Sequence, residues 1–252
     1  MNTWRCLLPM VILVILAPVP ACAAPGRAEP LVTNFGLGTF LHPIQKPPII
    51  SYPPWCQAQP FACCKDHVYI FGINGLNVLC SGNFNGLLSY VRSQGFTNTH
   101  FVQLYGTSWI ADEVRSIRRS DPQARIVLIG FSWGADFARR ITNDLNRDGT
   151  EVDLLVYLVG DLIRDTPESK PCNVRRILNV RGHGLILLGG DLFFNGQDID
   201  GARNFTLKCR HILAPSRREL IEVLMEELLN LACVPAEQPL PLAHPPALPA
   251  AR

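Results

Sequence analysis

Residues 125–149 read RIVLIGFSWGADFARRITNDLNRDG, and this stretch decides the fold. Arg125 to Gly130 is an unbroken aliphatic run of the kind that forms a strand buried on both faces. Ala135 to Gly149 reads as a helix. Between them stands Gly130-Phe131-Ser132-Trp133-Gly134, a G-x-S-x-G pattern in the strand–turn–helix setting that makes such a serine a candidate nucleophile. The turn is tight enough that Gly130 and Gly134 must lack side chains for strand and helix to approach. Ser132 is then held in a strained backbone conformation with its hydroxyl at the carboxyl end of the sheet. The helix N-terminus behind it offers unpaired N–H groups and a partial positive charge. The competing reading is a structural turn, and the buried strands on either side weigh against it.

Outward from this turn, strand-like and helix-like segments alternate. HVYIFG (67–72) reads as a strand, followed by the glycine-containing loop INGLNVLCSGN (73–83) and a helix in FNGLLSYVRSQG (84–95) that ends at Gly95. HFVQLYG (100–106) reads as a second strand and SWIADEVRSIRRSDP (108–122) as a second helix. Beyond the serine helix come the strands VDLLVYLVG (152–160) and VRRILNV (174–180), a glycine-rich excursion, a last strand in NFTLKCRHI (204–212), and the helix SRRELIEVLMEELLNLA (216–232). Such alternation predicts an α/β fold: a mostly parallel sheet of about five to six strands with helices on both faces.

The ends have a different character. The apolar run Leu7 to Pro20 follows Arg5 and closes on Ala21-Cys22-Ala23-Ala24, which reads as a secretory signal over residues 1–23. Two cleavage readings compete, an A-x-A site after Ala23 and a lipobox-like site that leaves a lipidated Cys22. The run is shorter than the ~20 residues that span a bilayer, so no stable transmembrane anchor is expected. Residues 24–65 form a proline-rich arm, 66–232 the folded domain, and 233–252 a proline-rich tail expected to be disordered. With 48% apolar and 17% charged residues the chain is too apolar to be disordered throughout. Its 23 Lys and Arg are offset by 21 Asp and Glu, so nucleic acid is not an expected partner. Loss of the signal leaves seven of nine cysteines (Cys56, Cys63, Cys64, Cys80, Cys172, Cys209 and Cys233), an exported set that predicts disulfides with at least one thiol left over. None has C-x-x-C spacing, and no metal site is expected.

A serine hydroxyl needs a base and an acid that orients it. With the chain order Ser, acid, His, the histidines after Ser132 are His183, His211 and His244. His244 falls in the tail and His183 in a glycine loop. His211 stands between the last strand and the last helix, where the chain returns to the serine, and is the expected base. For the acid, Asp161 directly follows VDLLVYLVG, with Asp200 as the alternative. Asp191 and Asp198 share the loop of Asp200, Asp153 faces the wrong end, and Asp165 reads as a turn residue. Oxyanion donors are expected from the backbone N–H groups of Trp133 and Leu76. Asn74, Gly75 and Phe131 are the expected substrate contacts.

The order VYIFGINGL, GFSWG, a late Asp and RHI resembles the α/β-hydrolase superfamily, and within it the small secreted lipase- and esterase-like proteins of bacteria, over about residues 66–232. Asn74-Gly75-Leu76 occupies the place of their His-Gly-x loop, with Asn74 a departure from it. Ile199-Asp200-Gly201-Ala202-Arg203-Asn204 is similar to an I-x-G-A-x-N pattern ahead of the histidine in lipase-like hydrolases. The resemblance implies a three-layer α/β-hydrolase-like fold and a monomeric serine hydrolase cleaving a small-molecule or lipid carboxylic ester through an acyl-serine, without cofactor. Two other readings stay open: a catalytically inactive binding module at the cell surface, and an acyltransferase with the same triad.

Overall fold

The computed structural model of the chain describes residues 41–47, 65–75, 82–160, 170–182 and 197–233. The strands are β1 (Val68–Ile73), β2 (Thr99–Val102), β3 (Arg125–Phe131), β4 (Val152–Leu158), β5 (Val174–Gly182) and β6 (Arg203–Leu207). The helices are α1 (Phe84–Ser93), α2 (Ile110–Ser120), α3 (Gly134–Asn146) and α4 (Arg218–Cys233). All six strands form one sheet in the order β2-β1-β3-β4-β5-β6, and every neighbouring pair is parallel.

Alternation along the strands divides the core in two. Val127, Ile129 and Phe131 of β3 point to the face covered by Leu87, Leu88 and Val91 of α1 and by Leu220, Leu224 and Leu228 of α4. Ile126 and Leu128 point to the other face, under Ile110, Val114 and Ile117 of α2 and Ala138, Ile141 and Leu145 of α3. A sheet buried on both sides this way is a three-layer sandwich, and it explains why the strands read as continuous apolar runs. The helices carry their own local signals. Asn83 caps α1 by accepting the Gly86 N–H at 3.1 Å, and Gly95, at φ 96°, takes the left-handed turn just beyond its end. In α2, Asp112 and Glu113 lie in the first turn and Arg118 and Arg119 in the last, each favourable to the helix dipole.

Two strands stop earlier than their sequences suggest. HFVQLYG leaves the sheet after Val102, and Leu104–Gly106 forms a 3-10 turn. NFTLKCRHI ends at Leu207 because its partner β5 ends at the paired Gly182. The chain then turns into a 3-10 helix, His211–Ser216, before α4. Residues 41–47 hold this 3-10 helix against α1. The His42 carbonyl accepts Asn83 Nδ2 at 3.0 Å and Ser216 Oγ at 2.7 Å, and the Gln45 N–H donates to the Ser216 carbonyl at 3.0 Å.

At the amino edge of the sheet, Asp153 is fully buried and accepts Arg118 Nη2 at 2.5 Å and the Ile126 N–H at 2.8 Å. Its role is to tie α2, β3 and β4 together. Cys172 and Cys209 carry free thiols. No helix among the described residues is long and apolar enough to cross a membrane.

Candidate active site

From β1 the chain goes to β2 on one side of the sheet, and from β3 to β4 on the other. The carboxyl ends of β1 and β3 therefore flank the point where strand order reverses, which is where open parallel sheets bind ligands. The two loops that meet there are Asn74-Gly75 and Ser132-Trp133.

Ser132 has φ 55°, in the left-handed region that a non-glycine residue rarely adopts. Its N–H donates to the Leu158 carbonyl at 2.9 Å and its carbonyl accepts the Ala135 N–H at 3.0 Å, so the strained residue is held between β4 and α3. The two motif glycines have separate tasks. A Cβ on Gly130 would lie 2.4 Å from the Ala135 Cα, so this glycine lets strand and helix approach, as expected. A Cβ on Gly134 would lie 2.1 Å from the Ile73 carbonyl oxygen, so this one admits the end of β1. Gly75 is pressed onto the serine turn as well: its Cβ would meet the Phe131 carbonyl oxygen at 2.7 Å and Ser132 Cβ and Trp133 N at 2.8 Å.

The Trp133 N–H makes no hydrogen bond among the described residues, whereas the Ala135 and Asp136 N–H groups are turned back onto the Ser132 and Trp133 carbonyls. An N–H left over at the start of a helix, one residue from a serine, can stabilise a negative oxygen. The Trp133 side chain is 43% exposed, and Tyr105 on the turn after β2 is 75% exposed, so two large aromatic groups face solvent at this edge. Asn74 is buried. Its Nδ2 donates to Gln103 Oε1 at 3.2 Å, its N–H donates to the Val102 carbonyl at 2.8 Å, and its buried Oδ1 has no partner among the described residues. Gln103 thus anchors the β1 loop from β2, a role that nothing in its local sequence marks.

His211 opens the 3-10 helix beyond β6, and its ring stacks on Phe131 with centroids 5.4 Å apart and planes 28° from parallel. The 3-10 helix ahead of α4 thus sets the His211 ring against Phe131, the residue before Ser132. Burial alone pushes its pKa down to about 4, so the imidazole is neutral, and able to take a proton, at neutral pH. No hydrogen bond to either ring nitrogen exists among the described residues.

Two expected residues are placed elsewhere. Phe131 offers no face to a substrate: it is 2% exposed, with its ring between Phe84 and His211. The alternation of β3 sends residue 131 into the core layer under α1 when residue 132 begins the turn. Asp200 is exposed and sits before β6, where its carbonyl accepts the Lys170 N–H at 3.1 Å. The turn closed by the Ala202 N–H on the Ile199 carbonyl at 3.2 Å puts Asp200 ahead of the amino end of β6. Asp198 is bound to Arg181 at 3.2 Å. Asp161, Leu76, His183, Asp191, Asp165 and His244 lie outside the described residues.

No protein-family model matches the chain, and no curated protein matches its sequence. Among solved structures the chain is similar to human thioesterase 2, at 11% identity and a TM-score of 0.40, over 68% of this chain and 100% of that one. The architecture itself is a three-layer α/β fold, a six-stranded parallel sheet between two helical layers with a serine turn after β3.

Proposed function

We propose that the protein is an exported serine hydrolase that cleaves carboxylic esters. The observation that carries this reading is Ser132, a non-glycine residue held at φ 55° on the turn between β3 and α3, at the strand-order reversal. Strain of this kind costs on the order of 1–3 kcal/mol and persists where a side chain must be presented to a ligand. In the reaction, His211 takes the proton of the Ser132 hydroxyl as Oγ bonds to the ester carbonyl carbon. The carbonyl oxygen becomes an oxyanion facing the Trp133 N–H, with the Leu76 N–H as the proposed second donor. Collapse breaks the ester C–O bond, and the departing alkoxide takes the proton from His211. Water, deprotonated by the same imidazole, then attacks the acyl-serine, and the C–Oγ bond breaks to release the acid as His211 returns the proton to Ser132 Oγ. Asp161 is the proposed acid that orients the imidazole. Trp133 and Tyr105 supply apolar surface suited to an ester with an apolar acyl or alcohol part.

Export rests on the signal-like segment 1–23 and on the seven cysteines that follow it. A second reading, a hydrolase-like binding module without catalysis, is favoured by one fact: no carboxylate among the described residues touches His211. The two separate by activity. The enzyme labels with a fluorophosphonate and hydrolyses a short-chain p-nitrophenyl ester, and folded Ser132→Ala does neither. Absence of both in the wild-type chain would establish the binding module. Product analysis with an added alcohol distinguishes hydrolysis from acyl transfer.

A further inference from the structure

His211 is partly buried, and within the described residues nothing hydrogen-bonds its ring. What touches it is an aromatic column. Phe84 of α1 stacks on Phe131 with centroids 5.5 Å apart and planes 25° from parallel, and Phe131 stacks on His211 at 5.4 Å and 28°. The column is closed from the side by Gly82. A Cβ there would lie 3.1 Å from Cε1 and Cζ of Phe131 and 3.3 Å from the Ile212 carbonyl oxygen, so the loop before α1 touches both the ring and the backbone beside His211. Phe131 is also covalently next to Ser132. The ring that supports the base and the turn that carries the nucleophile are therefore one piece of backbone.

We infer that Phe131 is a positioning residue, whose buried ring sets the plane of the His211 imidazole relative to Ser132 by stacking. The inference rests on the hydrolase reading above. A flat partner within the core restricts rotation of the imidazole about its Cβ–Cγ bond. Parallel offset rings at these separations contribute beyond the area they bury. Coupling through the main chain means that a shift of the serine turn carries the support with it, so nucleophile and base stay in register. The same ring keeps water from one face of the imidazole, which contributes to the depressed pKa of His211.

The test compares Phe131→Leu with Phe84→Leu, which deletes a ring from the same column without touching His211. In Phe131→Leu, kcat for a p-nitrophenyl ester falls about tenfold with little change in KM, the loss of one stacking contact in the transition state. The acid limb of its kcat/KM profile moves up from about pH 4 toward the ordinary histidine value as water reaches the ring. Phe84→Leu leaves the acid limb in place. If Phe131→Leu does not fold, Gly82→Ala reads the same property, since its methyl must push the Phe131 ring by a few tenths of an ångström. It lowers kcat and moves the acid limb in the same direction. An unmoved acid limb in the folded ring variant, or equal effects from Phe131→Leu and Phe84→Leu, overturns the positioning role. If wild type has no ester turnover at all, the hydrolase reading fails instead, and the two failures are distinct.

Discussion

Adding one methyl group at Gly75 tests whether the contact between the β1 loop and the serine turn sets the site. In Gly75→Ala the new carbon would stand 2.7 Å from the Phe131 carbonyl oxygen and 2.8 Å from Ser132 Cβ and Trp133 N. Ordinary separations between such atoms are about 3.5–4.0 Å, so one loop must retreat by about 0.7 Å or more. Two of the obstructing atoms are backbone and the third is a Cβ, none of which can rotate aside. Gly75 is not in the left-handed region, so alanine brings no backbone penalty. It even gains about 0.4–1 kcal/mol from the stiffer unfolded chain. Against that stands an overpacking cost of about 1–3 kcal/mol, giving a net loss of about 1–2 kcal/mol. For a domain of this size that lowers Tm by about 2–8 °C. Activity falls much further, because the retreat displaces the groups around the Trp133 N–H, and a lost oxyanion donor costs about 100- to 1000-fold in kcat. Thermal denaturation and p-nitrophenyl ester hydrolysis well below Tm measure the two effects separately. A variant with the wild-type Tm and the wild-type kcat would refute the claim that these loops are in contact and that the contact matters.

The folded chain holds His211 neutral down to about pH 4, while the unfolded chain protonates it near 6.5. Between those values the unfolded state binds more protons, so stability rises with pH across the window and about 3 kcal/mol is lost as pH falls from 6.5 to 4. Urea denaturation at a series of pH values should show this slope, reduced in His211→Gln; an equal slope in both means another group causes it. Asp153→Ala removes the buried partner of Arg118 and is expected to cost about 3 kcal/mol in denaturant unfolding. It should leave kcat unchanged at temperatures where the chain is folded, because Asp153 lies at the edge opposite Ser132; lost activity with intact folding contradicts that placement. The Tyr157 hydroxyl is buried and makes no hydrogen bond among the described residues, so Tyr157→Phe removes a desolvated polar group. Its Tm should match or exceed that of the wild type, and a lower Tm means the hydroxyl has a partner.

The sequence by itself determined the class of the fold and the tight serine turn after β3. Apolar runs such as RIVLIGF and VDLLVYL are strands because only a sheet covered on both faces buries every residue of a run. The serine turn was legible because strand, paired glycines and helix are adjacent in the chain, so local sterics suffice to state it. The position of His211 was legible more coarsely, as the start of the segment between the last strand and the last helix. What tertiary structure alone decided depends on residues far apart in sequence. Strand order brings Gly75 against Trp133 and seats Gly134 on Ile73, a contact no local reading of the motif contains. The turn ahead of β6 likewise sets Asp200 beside Lys170, a neighbour 30 residues earlier in the chain. Phe131 shows the limit most clearly. Its place in the motif suggested a substrate contact, but the side on which β3 begins its turn sends the ring into the core, between Phe84 and His211. A period-two pattern states which residues share a face of a strand; which layer that face meets follows only from the packing of helices separated from it by tens of residues.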